Sequence, residues 1–411
     1  MSSFSMSNLE RRPRRLLHVV TVPDSLLFFD GQLAFMRERG FDVSVVVSPG
    51  PGLDEFARRE GVDVYPIEMA RRVTPFRDTV SLQELYRLVK RLNPDIAHTH
   101  TAKGGLIGTL ASTFARTPVR IYQMRGRLSA TATSWRRQLF VGIERIVCGA
   151  SHHVICNSQS LRAAALGAGL CPADKMEVLL AGSGNGVDST VRFNPDRVTA
   201  TDVSEVRREL RIPDDARVIG FVGRLVRDKG IGELVRAWQH VRARADDVHL
   251  VCVGPIESRD SISADDRHSL ENDPRVRLLG FRKDLPRLYS SMNVLTLPTY
   301  REGFPNVLLE AQSMRVPVIS TRAEGCLDAV EDGVTGTLVP VRDAESLFRA
   351  FMSYLDNPAM RERHGRAGRE RVVRLFARER LWEALLLVYE RLLLEATQRH
   401  SRRESYRKRG D

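Results

Sequence analysis

The chain has 411 residues, 42% of them hydrophobic, with 63 Lys and Arg against 51 Asp and Glu and a formal net charge of +12. That length exceeds one ordinary domain, and the apolar content supports large cores, which excludes global disorder. No run of about 18 apolar residues occurs, so no membrane-spanning helix is expected.

In chain order, residues 1–15 form a basic leader of net +3, and the apolar run 16–22 behind them superficially matches a signal peptide. That run is too short and lacks a small-residue cleavage site, so it reads as the first strand. A helix over 31–40, a strand over 43–47 and a turn through Ser48, Pro49, Gly50, Pro51 and Gly52 follow. Further along, 53–60 reads as helix, 62–67 as extended, 82–92 as helix and 95–100, 119–124 and 154–157 as strands. Helices are expected from Ser158 and over 134–147. Around 182–215 the rhythm breaks into dense Gly, Asn, Asp and Pro, as between domains. A second series then begins: strand 218–222, helix 231–243, and strands 249–253, 276–279, 294–297, 317–320 and 337–339, with a closing helix over 378–397. This β-α-β alternation predicts an α/β protein with two doubly wound, Rossmann-like parallel-sheet domains. Their expected bounds are 1–190 and 215–377, with a linker over 191–214 and a flexible basic tail over 398–411.

Five cysteines, Cys148, Cys156, Cys171, Cys252 and Cys326, include no C-x-x-C pair. A reduced, cytoplasmic protein without structural zinc is the expectation. The charge is uneven. Residues 398–411 are net +4 and 191–397 only +1, whereas 116–145 hold seven Arg against Glu144 alone. Such a cluster suits nucleic acid, an anionic membrane or a phosphorylated ligand, or is simply a solvated surface. No zinc-finger spacing, RNA-binding aromatic signature or helix-turn-helix accompanies it, so nucleic acid is not an expected partner.

Ligands of doubly wound domains collect beyond the carboxyl ends of strands. After strand 218–222 come Gly223, Arg224 and, five residues on, Lys229. An Arg forks onto phosphate oxygens and a Lys adds a compact charge, a pairing suited to a diphosphate, although basic residues at a turn are also common surface features. After strand 294–297 come Glu302, Gly303, Phe304, Pro305, Asn306 and Glu310. Gly303 permits close backbone approach, and Pro305 suits the first turn of a helix that carries Glu310 about two turns in. A Glu can bind two vicinal hydroxyls, and free amides at a helix start can bind hydroxyls or phosphate; a Glu near a helix start also simply favours its dipole. In the first half, His98 and His100 alternate with Thr at a strand end, followed by Lys103, Gly104 and Gly105. One histidine is expected to face a ligand and the other to pack.

Arg224 and Lys229 followed by the E-x7-E pair Glu302 and Glu310 resemble the nucleotide-sugar-binding domain of glycosyltransferase family 4. Gly280-Phe281-Arg282, Ala329-Val330-Glu331-Asp332 and Gly333-Val334-Thr335-Gly336 agree with it. His98 to Gly105 and Gly182 to Asp188 resemble the branch that builds capsular and exopolysaccharides, and the resemblance covers nearly the whole chain. It implies a GT-B fold, a retaining mechanism, no essential metal and no cofactor, with a UDP-sugar as co-substrate. Arg224, Lys229 and Glu302 would be catalytic. Gly223, Arg282, Gly303, Phe304, Pro305, Asn306 and Glu310 would bind the donor, with Glu310 on the ribose and 280–282 at the base. His98, His100, Lys103, Gly104 and Arg125 would bind or position an acceptor in the first domain, onto which the helix 378–397 would pack back. A polyprenyl-diphosphate-linked saccharide is the favoured acceptor. The segment 134–147, with Trp135, Leu139, Phe140, Ile143, Ile146 and Val147 on one stripe, would then touch an anionic membrane. A soluble acceptor such as an aminocyclitol or secondary metabolite, a UDP-sugar epimerase and a non-catalytic nucleotide-sugar binder are the alternatives. Three departures stand out. Arg125 occupies a position where many members have His, the first loop 23–31 lacks a Gly-Gly turn, and 323–328 lacks an Arg beside Gly325-Cys326.

Overall fold

A computed structural model describes residues 12–70, 74–130, 132–257 and 260–407. Residues 1–11 of the basic leader and 408–411 of the tail lie outside the described residues.

The first sheet contains β1 (Arg14–Val19), β2 (Phe41–Val47), β3 (Asp63–Pro66), β4 (Ile96–His100), β5 (Val119–Met124), β6 (His153–Cys156) and β7 (Met176–Val178), in the order β3-β2-β1-β4-β5-β6-β7. The second contains β8 (Arg217–Val222), β9 (Val248–Val253), β10 (Val276–Leu278), β11 (Val294–Leu297), β12 (Val318–Thr321) and β13 (Gly336–Val339), in the order β10-β9-β8-β11-β12-β13. The second sheet is parallel throughout. Parallel strands need covered faces, and every residue of β4, β9, β11 and β12 is buried. Both sheets reverse direction at one step, between β1 and β4 and between β8 and β11, which opens a crevice beyond the strand ends. This is the expected pair of doubly wound sheets.

The described residues divide into two compact units, those within Met1–Met124, Gly142–Ile155 and Leu385–Asp411, and those within Arg125–Val141 and Cys156–Ala384. Leu17, Val19, Val46, Leu85 and Ile107 are among the core residues of the first. The second is built around Phe221, Trp238, Val251, Leu297, Leu309 and Phe351. All five cysteines are buried.

Several elements differ from expectation. The helix expected from 82 begins at Pro75, where Pro is tolerated at the first position and Asp78 accepts from the Thr74 amide (3.1 Å) and hydroxyl (2.8 Å). The segment 191–214 carries a helix, Ala200–Glu209, closed by a reciprocal cap in which Thr199 and Asp202 bond each other's backbone. Its Val206, with Leu210 and Ile212 beyond, joins the core. Helices Ala264–Glu271, Ala344–Leu355 and Pro358–Leu375 were not expected. The closing helix runs Arg378–Arg407, through most of the segment expected as a flexible tail.

Candidate active site

The glycine turn after β8 and the loop after β11 meet at the crevice of the second sheet. Gly230 adopts φ +70°, and a Cβ there would lie 2.0 Å from the carbonyl oxygen of Pro298, so only glycine lets the two loops approach. Gly303 does the same toward a different segment, because a Cβ on it would fall 1.7 Å from the Arg125 carbonyl oxygen. Lys229 is thereby brought beside Glu302, with which it forms an ion pair, and Arg125 is brought to the same place. Together with Arg224, Gly303 and Arg127 they line a pocket of about 180 Å³.

The pocket wall is predominantly cationic. Arg125, Arg127, Arg224, Lys229 and Arg301 face Asp228, Glu302 and Glu324. Each carboxylate is bridged to a cation: Glu302 to Lys229, Asp228 to Arg301 at 2.9 Å, and Glu324 to Arg127, whose Nε donates at 3.2 Å. Arg224 is half exposed and reaches Glu257 at 2.8 Å. A wall with two cations in excess of its acids attracts an anion, and the paired carboxylates are already oriented to accept hydroxyl hydrogen bonds.

The loop beyond Glu302 is fixed from several sides. Gly303, Phe304 and Pro305 are buried, and the Phe304 ring lies 5.5 Å from that of Phe376. The Ser183 hydroxyl donates to Asn306 Oδ1 at 3.0 Å, which ties the Gly182–Asp188 motif to the start of helix Asn306–Ser313. A Cβ on Gly184 would lie 2.2 Å from Arg125 Nη1, so the Arg125 guanidinium rests against this glycine loop. Pro305 is the residue before the helix rather than within its first turn, and Glu310 comes one turn in rather than two. Glu310 is half-buried and accepts from the Tyr289 hydroxyl at 2.9 Å. Burial raises its carboxyl above the usual range, although the Tyr289 bond opposes that shift. Cys326, near Lys229 and Glu302, is pushed by burial to about 12, which leaves its thiol protonated and unsuited to nucleophilic attack.

Other expected residues have different surroundings. Arg282 is bridged by Asp284 and Glu209, each at 2.6 Å, and these bonds raise its guanidinium still further, so its charge is already balanced. In the first unit, Lys103 Nζ lies 2.6 Å from both oxygens of Asp78. Burial tends to raise that carboxyl, but Lys103 and Thr74 outweigh it and hold it below the ordinary range. The Gly104 amide donates to Thr21 Oγ1 at 3.0 Å.

His98 and His100 are both buried, where one was expected to face a ligand. His98 Nδ1 lies 2.7 Å from the Tyr389 hydroxyl and His100 Nε2 lies 2.9 Å from His18 Nδ1. Among the described residues, His18, His98 and His100 form a group that could hold a metal ion, with one ring nitrogen of each within 4.8 Å of the others. Sequence reasoning missed His18. Its signal was the parallel register that sets His18 against His98, with His100 two residues on along the same face.

Residues 216–357 match the family "Glycosyl transferases group 1" and residues 30–182 match "Glycosyl transferase 4-like domain". The capsular polysaccharide biosynthesis glycosyltransferase CapM of Staphylococcus aureus is 33% identical over 383 residues, 93% of this chain and 98% of that protein. The UDP-Gal:alpha-D-GlcNAc-diphosphoundecaprenol alpha-1,3-galactosyltransferase of Escherichia coli is 24% identical over 78% of this chain and 81% of its own length. In fold, the crystal structure of Anabaena Alr3699/HepE in complex with UDP-glucose superposes with a TM-score of 0.77 at 20% identity, covering 92% and 99% of the two chains. With both halves matched and a full-length relative at this identity, the chain belongs to glycosyltransferase family 4, in its capsular polysaccharide branch.

Proposed function

We propose that the protein transfers a hexose or N-acetylhexosamine from a UDP-sugar, with retention and without a metal ion, to a polyprenyl-diphosphate-linked saccharide in cell-surface polysaccharide synthesis. The observation that carries this reading is the pocket in which Arg224, Lys229 and Glu302 converge at the crevice between β8 and β11. Arg224 and Lys229 would take the donor diphosphate, supplying the positive charge that a divalent ion supplies elsewhere. Glu302 would turn from Lys229 to the hydroxyls of the transferred sugar, beside the amides of Gly303 and Phe304, and Glu310 would hold the ribose. In the transfer, the bond from the anomeric carbon to the UDP oxygen breaks as the acceptor oxygen bonds that carbon on the same face. The acceptor proton passes to the departing phosphate oxygen. Arg and Lys stabilise the charge that builds on UDP as the ring becomes cationic.

The lipid-linked acceptor draws support from the E. coli relative, whose name specifies a diphosphoundecaprenol substrate. Among the described residues no helix is long and apolar enough to cross a membrane. Contact with the inner face of the cell membrane would be peripheral.

The test supplies UDP-sugars and prenyl-diphosphate-linked saccharides with a chelator present, and measures UDP release and product anomeric configuration. Release with a retained anomer is expected. Lys229→Ala and Glu302→Ala are each expected to lower kcat by about 10²–10³ while circular dichroism is unchanged. Transfer only when metal is restored, an inverted product, or full activity in either variant contradicts the assignment. Conversion of UDP-sugar without acceptor would identify an epimerase instead.

A further inference from the structure

Beside the 180 Å³ pocket lies a wider groove of about 1060 Å³, and the two share Ala130, Asp228 and Arg301 as a common wall. The groove is lined by Arg136, Arg227, Arg301 and Arg342 against the acids Asp228 and Asp260. Both acids are engaged, Asp228 with Arg301 at 2.9 Å and Asp260 as acceptor from the Asp228 amide at 3.0 Å. Among the described residues, Arg136, Arg227 and Arg342 form no ion pair. The Arg342 guanidinium instead lies 4.8 Å from the centre of the Tyr300 ring, and that of Arg136 5.6 Å from the Trp135 ring. Tyr300 is in turn held by its hydroxyl, which donates to Glu233 at 2.6 Å. Guanidinium groups supported on aromatic faces and not committed to carboxylates are pre-positioned to take phosphate oxygens two at a time.

We infer that this groove, through Arg136, Arg227 and Arg342, binds the diphosphate of the lipid-linked acceptor. The inference rests on the proposed transfer to such an acceptor and adds where its charged group sits. A saccharide attached to that diphosphate would extend across the Asp228–Arg301 wall into the neighbouring pocket, where the donor sugar lies. Trp135, 68% exposed, and Leu139, 46% exposed, lie on the same helix as Arg136. They offer the prenyl chain an apolar exit next to the site of its charge. The electrostatics separate two anions, because the donor diphosphate is met by Arg224 and Lys229 and the acceptor diphosphate by a different set of cations.

The experiment compares one saccharide on two carriers, a short prenyl diphosphate and a neutral alkyl chain, in the wild type and in the Arg227→Ala/Arg342→Ala variant. KM for the diphosphate-linked acceptor is expected to rise roughly tenfold or more in the variant, while KM for the neutral one stays the same. UDP affinity, read by calorimetry, is expected to be unchanged and reports that the variant is folded with its donor site intact. Equal effects on both acceptors, or none, overturn the inference. If the wild type uses neither acceptor, the transfer reading fails, and the groove is judged by calorimetric binding of farnesyl diphosphate at saturating UDP. Binding that the variant loses supports the groove, and absent or unaltered binding overturns it.

Discussion

At Glu310 folding and the proposed hold on the ribose make opposite demands. Burial beside Tyr289 raises the carboxyl, so the folded state holds its proton more tightly than the unfolded chain, whose value is near 4.5. The contribution of this group to stability is therefore fully present below that value and is lost as pH rises through the raised folded value. At neutral pH its ionised form is a burden that a ribose, by hydrogen bonding to the carboxylate, would relieve. Glu310→Gln keeps an acceptor for Tyr289 and removes the ionisation. The variant is expected to melt higher than the wild type at pH 7.5, with the gap closing as pH falls through the raised folded value and gone below about 4.5, and to bind UDP about tenfold more weakly. A lower melting temperature at pH 7.5, or undiminished UDP affinity, contradicts this account. Glu310 was legible because E-x7-E spacing is a one-dimensional pattern. Arg127, Arg301 and Glu324 were not, because their pairing depends on Gly303 admitting the Arg125 backbone, which links residues distant in sequence.

Among the elements, an apolar stripe made helix Ser134–Ala150 readable, but helix Ala344–Leu355, which buries Leu347, Phe348, Phe351 and Leu355 along such a stripe, was not expected, and helices with another kind of face are harder still to read. Helix Pro358–Leu375 buries His364, Gly368 and Val372, spaced four apart, and Gly365 beside them on the same face. A Cβ on Gly365 would lie 2.1 Å from the Arg315 carbonyl oxygen, so this face packs by being small rather than apolar, and hydrophobic periodicity does not register it. Helix Ser134–Ala150 was read from its stripe, but the stripe divides. Val147 is buried and Phe140 and Ile143 are half-buried, while Trp135, Leu139 and Ile146 are exposed. Spacings of four and seven set the exposed three on one face, with Arg136, Arg137 and Arg145 exposed around it. A face of that composition suits the interface of an anionic membrane. The protein is expected to float with phosphatidylglycerol vesicles, and Trp135→Glu/Leu139→Glu to lower the bound fraction severalfold without changing the melting temperature, since both positions are exposed. No flotation by the wild type would favour a soluble acceptor, and flotation unchanged by the variant would move the contact to another surface.

For the molecule as a whole, alternation of strands and helices made the two sheets readable, whereas the grouping of segments into units follows contacts rather than chain order. Residues 125–141 come after a strand of the first sheet yet belong with the second unit, and the residues from Leu385 onward belong with the first. The net +12 shares this property. It marks the protein as basic, but the pocket and the groove are distinguished by which arginines are paired, and pairing appears only once the chain is folded. The pocket residues from Arg125 to Glu324, and Glu310 on its helix, all lie in the second unit. A ligand that binds only the folded form of this unit should therefore stabilise it against its own opening, by about 2.7 kcal/mol at one hundred times its Kd. Hydrogen exchange with and without UDP tests this directly. Amides of β8, β11 and helix Asn306–Ser313 are expected to slow by up to about a hundredfold where their exchange requires an opening that releases UDP. Amides of β1, β2 and β4 are expected to keep their rates. Equal slowing in both sets would mean that the units open as one cooperative body, and slowing confined to β1, β2 and β4 would place the nucleotide on the histidine-bearing crevice of the first sheet rather than beside Lys229 and Glu302.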